Sequence, residues 1–182
     1  MTLIGLVRHG STDWNLARLI QGQTDIPLNL QGIEEATALA KRLQKTNWCL
    51  IYSSDLIRAQ ATARIIADTL RLSIQFDPTL RERNFGCLEG SNYDTAREIL
   101  DDPIRSAEIT GIETITAVQE RILTTLNQIA AKHLNQKILI VTHGGVIRQF
   151  LKYLEPKEPL FIGNASLTKI SLDKEQWQIV VD

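Results

Sequence analysis

Apolar residues fall along this chain in two kinds of run. Short unbroken runs, Leu3 to Val7, Cys49 to Tyr52 and Ile138 to Val141, have the length and branched side chains of strands buried on both faces. Between them the apolar positions recur at helical spacing. Ile33, Ala36, Leu39, Ala40 and Leu43 form one stripe, Leu56, Ala59, Ala63, Ile66, Ala67 and Leu70 a second, and Ile115, Val118, Ile122, Leu126 and Ile129 a third. A fourth uses Val146, Ile147, Phe150, Leu151 and Leu154 and stops at Pro156, which lacks the donor a helix needs. Ser53-Ser54-Asp55 offers N-caps for the second helix, and Thr116 with Gln119 has capping-box spacing for the third. Leu72 to Phe76 alternates as a short strand does. Leu167 to Leu172 and Trp177 to Val181 alternate across Asp173-Lys174-Glu175 and predict a terminal hairpin.

Strands alternating with helices predict an α/β fold, a three-layer sandwich in which a mostly parallel central sheet carries helices on both faces, with the C-terminal hairpin as an antiparallel edge. At 182 residues the chain suits a single domain, residues 1–182. From Asp77 to Gly111 the periodicity weakens to loops, with a modest helix around Thr95 to Leu100, so residues 83–112 or thereabouts are expected to form a small cap over a site.

Composition narrows the function classes. A net charge of −1 without a run of like charges argues against a nucleic-acid partner, so any cationic chemistry must be local. Cys49 and Cys87 form no CxxC pattern, which fits a reducing compartment. Arg8, His9 and Asp13 interrupt the first apolar run too early for a signal peptide, and no run reaches the roughly 20 residues that span a bilayer. A cytoplasmic protein without a membrane partner is expected.

The chemistry gathers where strands end. Arg8-His9-Gly10 closes the first apolar run and Thr142-His143-Gly144-Gly145 closes a later one, so two of the chain's three histidines stand before a glycine at a strand's carboxyl end. Ligands of open α/β sheets settle there. Arg58, in the first turn of a helix, opposes the macrodipole unless it meets an anion or solvent. Glu82 is the best-placed carboxylate. Two guanidinium forks, two imidazoles and one carboxylate suit a phosphoryl group. Plainer readings stand beside this one: a hydrogen-bonded structural His143, a Glu82 paired with Arg81 or Arg83, and Asn15, Gln21 and Thr24 as turn residues. Two other functional readings differ in kind. Zinc held by His9, His143, Glu82 and Asp13 would be repelled by the arginines. A phospholigand-binding module would need neither nucleophile nor acid.

Five blocks in order, Arg8-His9-Gly10-Ser11-Thr12-Asp13-Trp14-Asn15, Gln21-Gly22-Gln23-Thr24-Asp25, Ser53-Ser54-Asp55-Leu56-Ile57-Arg58-Ala59 with Thr62-Ala63, Leu80-Arg81-Glu82-Arg83-Asn84-Phe85-Gly86 with Glu89-Gly90, and Val141-Thr142-His143-Gly144-Gly145, run through nearly the whole chain. They resemble the histidine phosphatase superfamily in its phosphoglycerate-mutase-like branch. The resemblance implies that His9 is a nucleophile forming a phosphohistidine, that Arg8, Arg58 and His143 hold and polarise the phosphoryl group, and that Glu82 protonates the leaving oxygen. It also places Asn15, Gln21, Gly22 and Gly144 at the substrate, and it calls for no cofactor and no metal. Dimers occur in the branch, and nothing in this chain demands a homodimer.

Phosphatases and cofactor-dependent mutases of the family share the phosphohistidine, but the mutases carry a long insertion after the acid-bearing block. Here only about twenty residues separate Gly90 from Gly111. A mutase must shield its phosphate from water, so the short cap favours a phosphatase of a small phosphorylated metabolite, such as a sugar phosphate or α-ribazole phosphate, over a phosphoglycerate mutase. Arg83 adds a cation beside the acid; it would suit a substrate with a second anionic group, and equally a plain surface ion pair with a neighbouring carboxylate.

Overall fold

In a computed structural model of the chain, which describes residues 1–102, 109, 111–155, 161–174 and 176–180, the first apolar run becomes β1 (Thr2–Arg8). It lies in a six-stranded sheet with β2 (Leu50–Ser53), β3 (Ile74–Phe76), β4 (Lys137–Thr142), β5 (Leu167–Asp173) and β6 (Gln176–Val180), in the order β3-β2-β4-β1-β5-β6. The first four strands are mutually parallel, β5 pairs antiparallel with β1, and β6 pairs antiparallel with β5 at the edge. The expected fold class is therefore observed. Pro156, Glu175 and Val181, named above at element ends, lie outside the described residues.

Among the described residues the α-helices are α1 (Asp13–Leu16), α2 (Leu30–Leu43), α3 (Ile57–Leu70), α4 (Tyr93–Asp101), α5 (Ile115–Lys132) and α6 (Gly144–Leu154). Two apolar layers show why the strands read as continuous hydrophobic runs. Ile4, Leu6, Ile138 and Ile140 pack against Ile122, Leu126, Ile147 and Phe150 of α5 and α6 on one face. Val7, Ile51, Leu139 and Val141 pack against Leu39, Ala63 and Ile66 of α2 and α3 on the other. Burial at successive strand positions thus alternates between two cores rather than between core and water.

Some local expectations shift. Ile33, expected on the core stripe of α2, is 44% exposed; Gly32, one residue earlier, takes the close contact with the Ser11 backbone. The second strand starts at Leu50, with Cys49 exposed. No side chain of Ser53-Ser54-Asp55 caps α3 as an N-cap; the Asp25 carboxylate, from a distant loop, accepts from the Ile57 amide at 2.6 Å. For α5 the cap is Thr114, whose hydroxyl accepts from the Ala117 amide, and not Thr116. Sequence periodicity locates the buried stripe, whereas caps depend on what tertiary neighbours bring.

Of the segment expected as a cap, residues 103–108 and 110 lie outside the described residues. The rest holds α4 and a small apolar cluster of Ile20, Leu88 and Ala96 with Phe85, Ile99, Leu100, Ile109 and Ile112, separate from the two main cores. Among the described residues no helix is long and apolar enough to cross a membrane.

Candidate active site

β1 and β4 are adjacent and in register, Arg8 opposite Thr142, so the next residues leave the sheet side by side. The His9 amide donates to the Thr142 carbonyl at 3.0 Å, and the rings of His9 and His143 lie 5.2 Å apart between centroids. α2 and α3 cover one face behind this point and α6 the other, which makes it the switch point of the sheet, where a crevice forms.

The ring of His9 is almost fully buried and its Nδ1 lies 2.7 Å from the Gly10 carbonyl. A carbonyl only accepts, so the ring proton is assigned to Nδ1 and the Nε2 lone pair is left for chemistry. Burial, then the charges of Arg58 and Arg8, hold the His9 pKa well below the ordinary histidine value. The neutral imidazole, with its Nε2 lone pair available, is the resting form.

His143 is set by a different neighbour. Its Nε2 lies 2.8 Å from Ser54 Oγ, which accepts from the Leu56 amide and is assigned as the donor to the ring. That assigns the imidazole proton to Nδ1, a buried atom with no partner. Burial and the neighbouring Arg58, His9 and Arg8 keep this ring neutral as well.

The arginines are built in by their carbonyl partners. Arg8 Nη1 donates to the Ile162 carbonyl at 2.6 Å. Arg58, 1% exposed, spends its two Nη groups on the carbonyls of Gly22 and Thr24, at 2.6 and 2.8 Å. Burial, the largest influence, lowers the Arg58 pKa to about 10, which leaves it cationic at neutral pH. In both arginines Nε is buried and unpartnered. Arg8 Nε, Arg58 Nε and His143 Nδ1 are thus three orphaned donors on residues that all bear electrostatically on His9 or feel its charge. Leaving a buried donor unpaired costs about 1–3 kcal/mol. Three in one crevice suit an acceptor-only anion.

Glu82 bridges two elements. One carboxylate oxygen accepts from the Arg83 amide and the other from the Gly145 amide, both at 2.8 Å, the latter in the first turn of α6. A Cβ at position 145 would fall 2.4 Å from Glu82 Oε1, so only glycine lets the carboxylate rest there. The plainer pairing with Arg81 or Arg83 is not what forms. Arg81 makes a two-pronged bond to Asp55, and Arg83 Nε donates to the Glu113 carbonyl.

The remaining residues named from sequence fall around this crevice with different commitments. Gly144 backs onto Arg8, whose Nε would lie 3.0 Å from a Cβ there. Gln21 is buried with Oε1 unpartnered, and Gly22 supplies a carbonyl to Arg58. Asn15 is engaged in the capping box of α1 with Thr12, and its Oδ1 also accepts from Asn164 Nδ2 at 3.2 Å. Among the described residues no three His, Cys, Asp or Glu side chains are gathered so as to hold a metal ion, and Asp13, placed in the zinc alternative, accepts from Asn29 instead.

Sequence reasoning gave no role to Glu89, nor to Ser54 beyond capping. The Glu89 carboxylate accepts from the amides of Gln23, Thr24 and Phe85 and from the Thr24 hydroxyl. It thereby pins the loop whose carbonyls hold Arg58. Glu89-Gly90 stood in the fourth block, but nothing local says that its carboxylate reaches back to a loop 65 residues earlier.

The chain is similar to known proteins over nearly its whole length. Residues 4–181 match the histidine phosphatase superfamily (branch 1). Phosphoglycerate mutase-like protein 4 of Arabidopsis thaliana is 37% identical over 98% of this chain and 83% of its own. A metal-independent phosphoserine phosphatase of the same plant is 36% identical over 98% and 80%. The solved structure of Bacillus stearothermophilus YhfR superposes with a TM-score of 0.89 at 30% identity, covering 100% of this chain and 96% of that one. With the strand-end histidines, the arginines and the carboxylate in one crevice of this fold, the chain belongs to the histidine phosphatase superfamily, in its phosphoglycerate-mutase-like branch.

Proposed function

We propose that this protein is a metal-independent phosphomonoester hydrolase that acts through a phosphohistidine on a small phosphorylated metabolite. The observation that carries the reading is His9 itself, a buried neutral imidazole with Nε2 free, beside three unpartnered donors. The likeness to a plant enzyme named as a metal-independent phosphoserine phosphatase supports it.

In this mechanism Arg8 Nε, Arg58 Nε and His143 Nδ1 donate to the non-bridging oxygens and offset the charge of the transferring group. The lone pair of His9 Nε2 forms a bond to phosphorus while the ester P–O bond breaks. The leaving oxygen keeps the electron pair and takes a proton from Glu82. Glu82, now a carboxylate, accepts a proton from water, whose oxygen attacks phosphorus and breaks the P–N bond. Inorganic phosphate leaves, His9 returns to the neutral form and Glu82 is protonated again. Splitting the reaction lets one carboxyl group serve both halves, and its two amide bonds fix where it stands. The described part of the small cap expected over 83–112, with α4 in it, stands on this side of the acid.

The test is release of inorganic phosphate from a panel of phosphomonoesters in excess chelator, with 3-phosphoglycerate plus its bisphosphate cofactor included and His9→Ala as control. Release that survives the chelator and disappears in the variant supports the reading. Loss with chelator would reject metal independence. Isomerisation of phosphoglycerate without release would make the protein a mutase, and neither activity would leave a phospholigand-binding module.

A further inference from the structure

Beside Glu82 the crevice opens into a cleft of about 560 Å³. Gly145 belongs to both: its amide holds Glu82 Oε2, and it lines the cleft, as does Arg83 on the other side of the acid. If Glu82 protonates the leaving oxygen, the alcohol part of the ester has this cleft to enter, so the cleft walls describe the alcohol.

Those walls are of two kinds. Ile20, Phe85 and Leu100 give an apolar surface able to flank a ring or a short hydrocarbon body. Arg148 and Lys152 stand on the α6 face that begins at Gly145, one and two turns further on, and Arg83 stands opposite. The one carboxylate among the described lining residues, Asp101, is already paired with Arg97. Arg83 is part-committed, with Nε on the Glu113 carbonyl and its guanidinium 5.0 Å from the centre of the Phe85 ring. Arg148 is half-buried and makes no hydrogen bond or ion pair among the described residues. A half-buried guanidinium that faces an apolar wall, with no partner among the described residues, is a place for an anion that arrives with the ligand.

We infer that the cleft selects phosphomonoesters whose alcohol carries an apolar body and a second, distal anionic group, with Arg148 as the main holder of that group and Lys152 and Arg83 flanking it. From Gly145 to Arg148 the helix rises about 5 Å, and to Lys152 about 10 Å. The second anion is therefore further from the ester oxygen than a carboxylate on the neighbouring carbon. This inference rests on the phosphatase reading for the direction in which the alcohol lies, and its test separates the two.

The probes are phenyl phosphate, 4-carboxyphenyl phosphate and 4-(phosphonomethyl)phenyl phosphate, which share a ring and differ in the distal group. In the wild-type protein the two anionic esters should exceed phenyl phosphate in kcat/KM. In Arg148→Gln that preference should shrink by roughly tenfold, the scale of one charge-assisted hydrogen bond. Phenyl phosphate turnover by the same variant reports whether it is folded, and Arg148→Lys should recover part of the preference. Whichever of carboxylate and phosphonate loses more to the substitution identifies the favoured distal group. The same three ligands are titrated into His9→Ala by calorimetry, where no turnover is required. An equal affinity for all three, or a preference untouched by Arg148→Gln, overturns the inference even if phosphate release is robust. Absent turnover with the binding preference intact would instead sink the phosphatase reading and leave the cleft assignment standing.

Discussion

His9 sits between two cationic side chains and away from water, and its ordinary basicity does not survive there. The consequence is kinetic. Formation of the phosphoenzyme in a single turnover should hold its rate as pH is lowered through 6.5, the ordinary histidine value. A fall centred there would show an imidazole that titrates as in water and would remove the basis for a resting nucleophile. Glu89 offers a second check on how residues act through one another. Its carboxylate holds the Gln23-Thr24 turn, and the carbonyls on either side of Gln23 hold Arg58. Glu89→Gln, which replaces one acceptor oxygen by a donor, should lower kcat/KM by about tenfold or more. In an Arg58→Ala background the same substitution should cost little, because its effect passes through Arg58; full additivity in that cycle would mark Glu89 as structural only. His9, His143, Arg58 and Glu82 could be picked out from sequence because each stands at a strand end, in a helix's first turn or beside a turn. The partners that tune them could not: Ser54 is 89 positions from the histidine it orients.

α2 meets the loop after β1 through glycine. A Cβ on Gly32 would come within 2.1 Å of the Ser11 carbonyl, and one on Gly10 within 2.3 Å of the Gly32 carbonyl. The contact is closed by Glu35, whose carboxylate accepts from the Ser11 amide and hydroxyl at 2.9 and 2.8 Å. This end of the helix therefore sets where the His9-Gly10 turn lies. Gly32→Ala is expected to destabilise the protein by about 1–3 kcal/mol despite alanine's better helix propensity, with a loss of turnover in the fraction that folds. Ile33→Ala, at an exposed position, should shift stability by less than about 1 kcal/mol. Urea unfolding of the two variants side by side checks the ordering, and an equal cost would contradict the close-packed docking. Both residues lie in one helical turn of the sequence, and the stripe reading favoured the wrong one. Hydrophobic periodicity reports an average face, whereas a backbone-to-backbone approach is invisible until the partner loop is in place.

Two buried neutral histidines also leave a mark on the stability of the molecule. Both folded-state pKa values lie below 6.5. Unfolded histidines take up protons as pH falls past that value while the folded rings resist, so the unfolded state binds more protons there. Stability is thus complete above about 6.5 and is lost progressively as pH falls toward the folded values. The unfolding midpoint in urea should decline over that range, and His9→Ala should decline less steeply; an unchanged slope in both His9→Ala and His143→Asn would reject the account. The order β3-β2-β4-β1-β5-β6 explains how the two rings came together at all. Strands and helices, their alternation, the α/β class and the residue types at strand ends all follow from runs and spacings along the chain, because backbone geometry converts a local period directly into a face or a buried strand. The placement of β4 between β1 and β2, the tautomers of both histidines, the carbonyl cradle of Arg58 and the cationic cleft beside Glu82 do not. Each depends on groups distant in sequence meeting across a packed interior, where a hydrogen-bond partner and the loss of water redefine what a side chain can do.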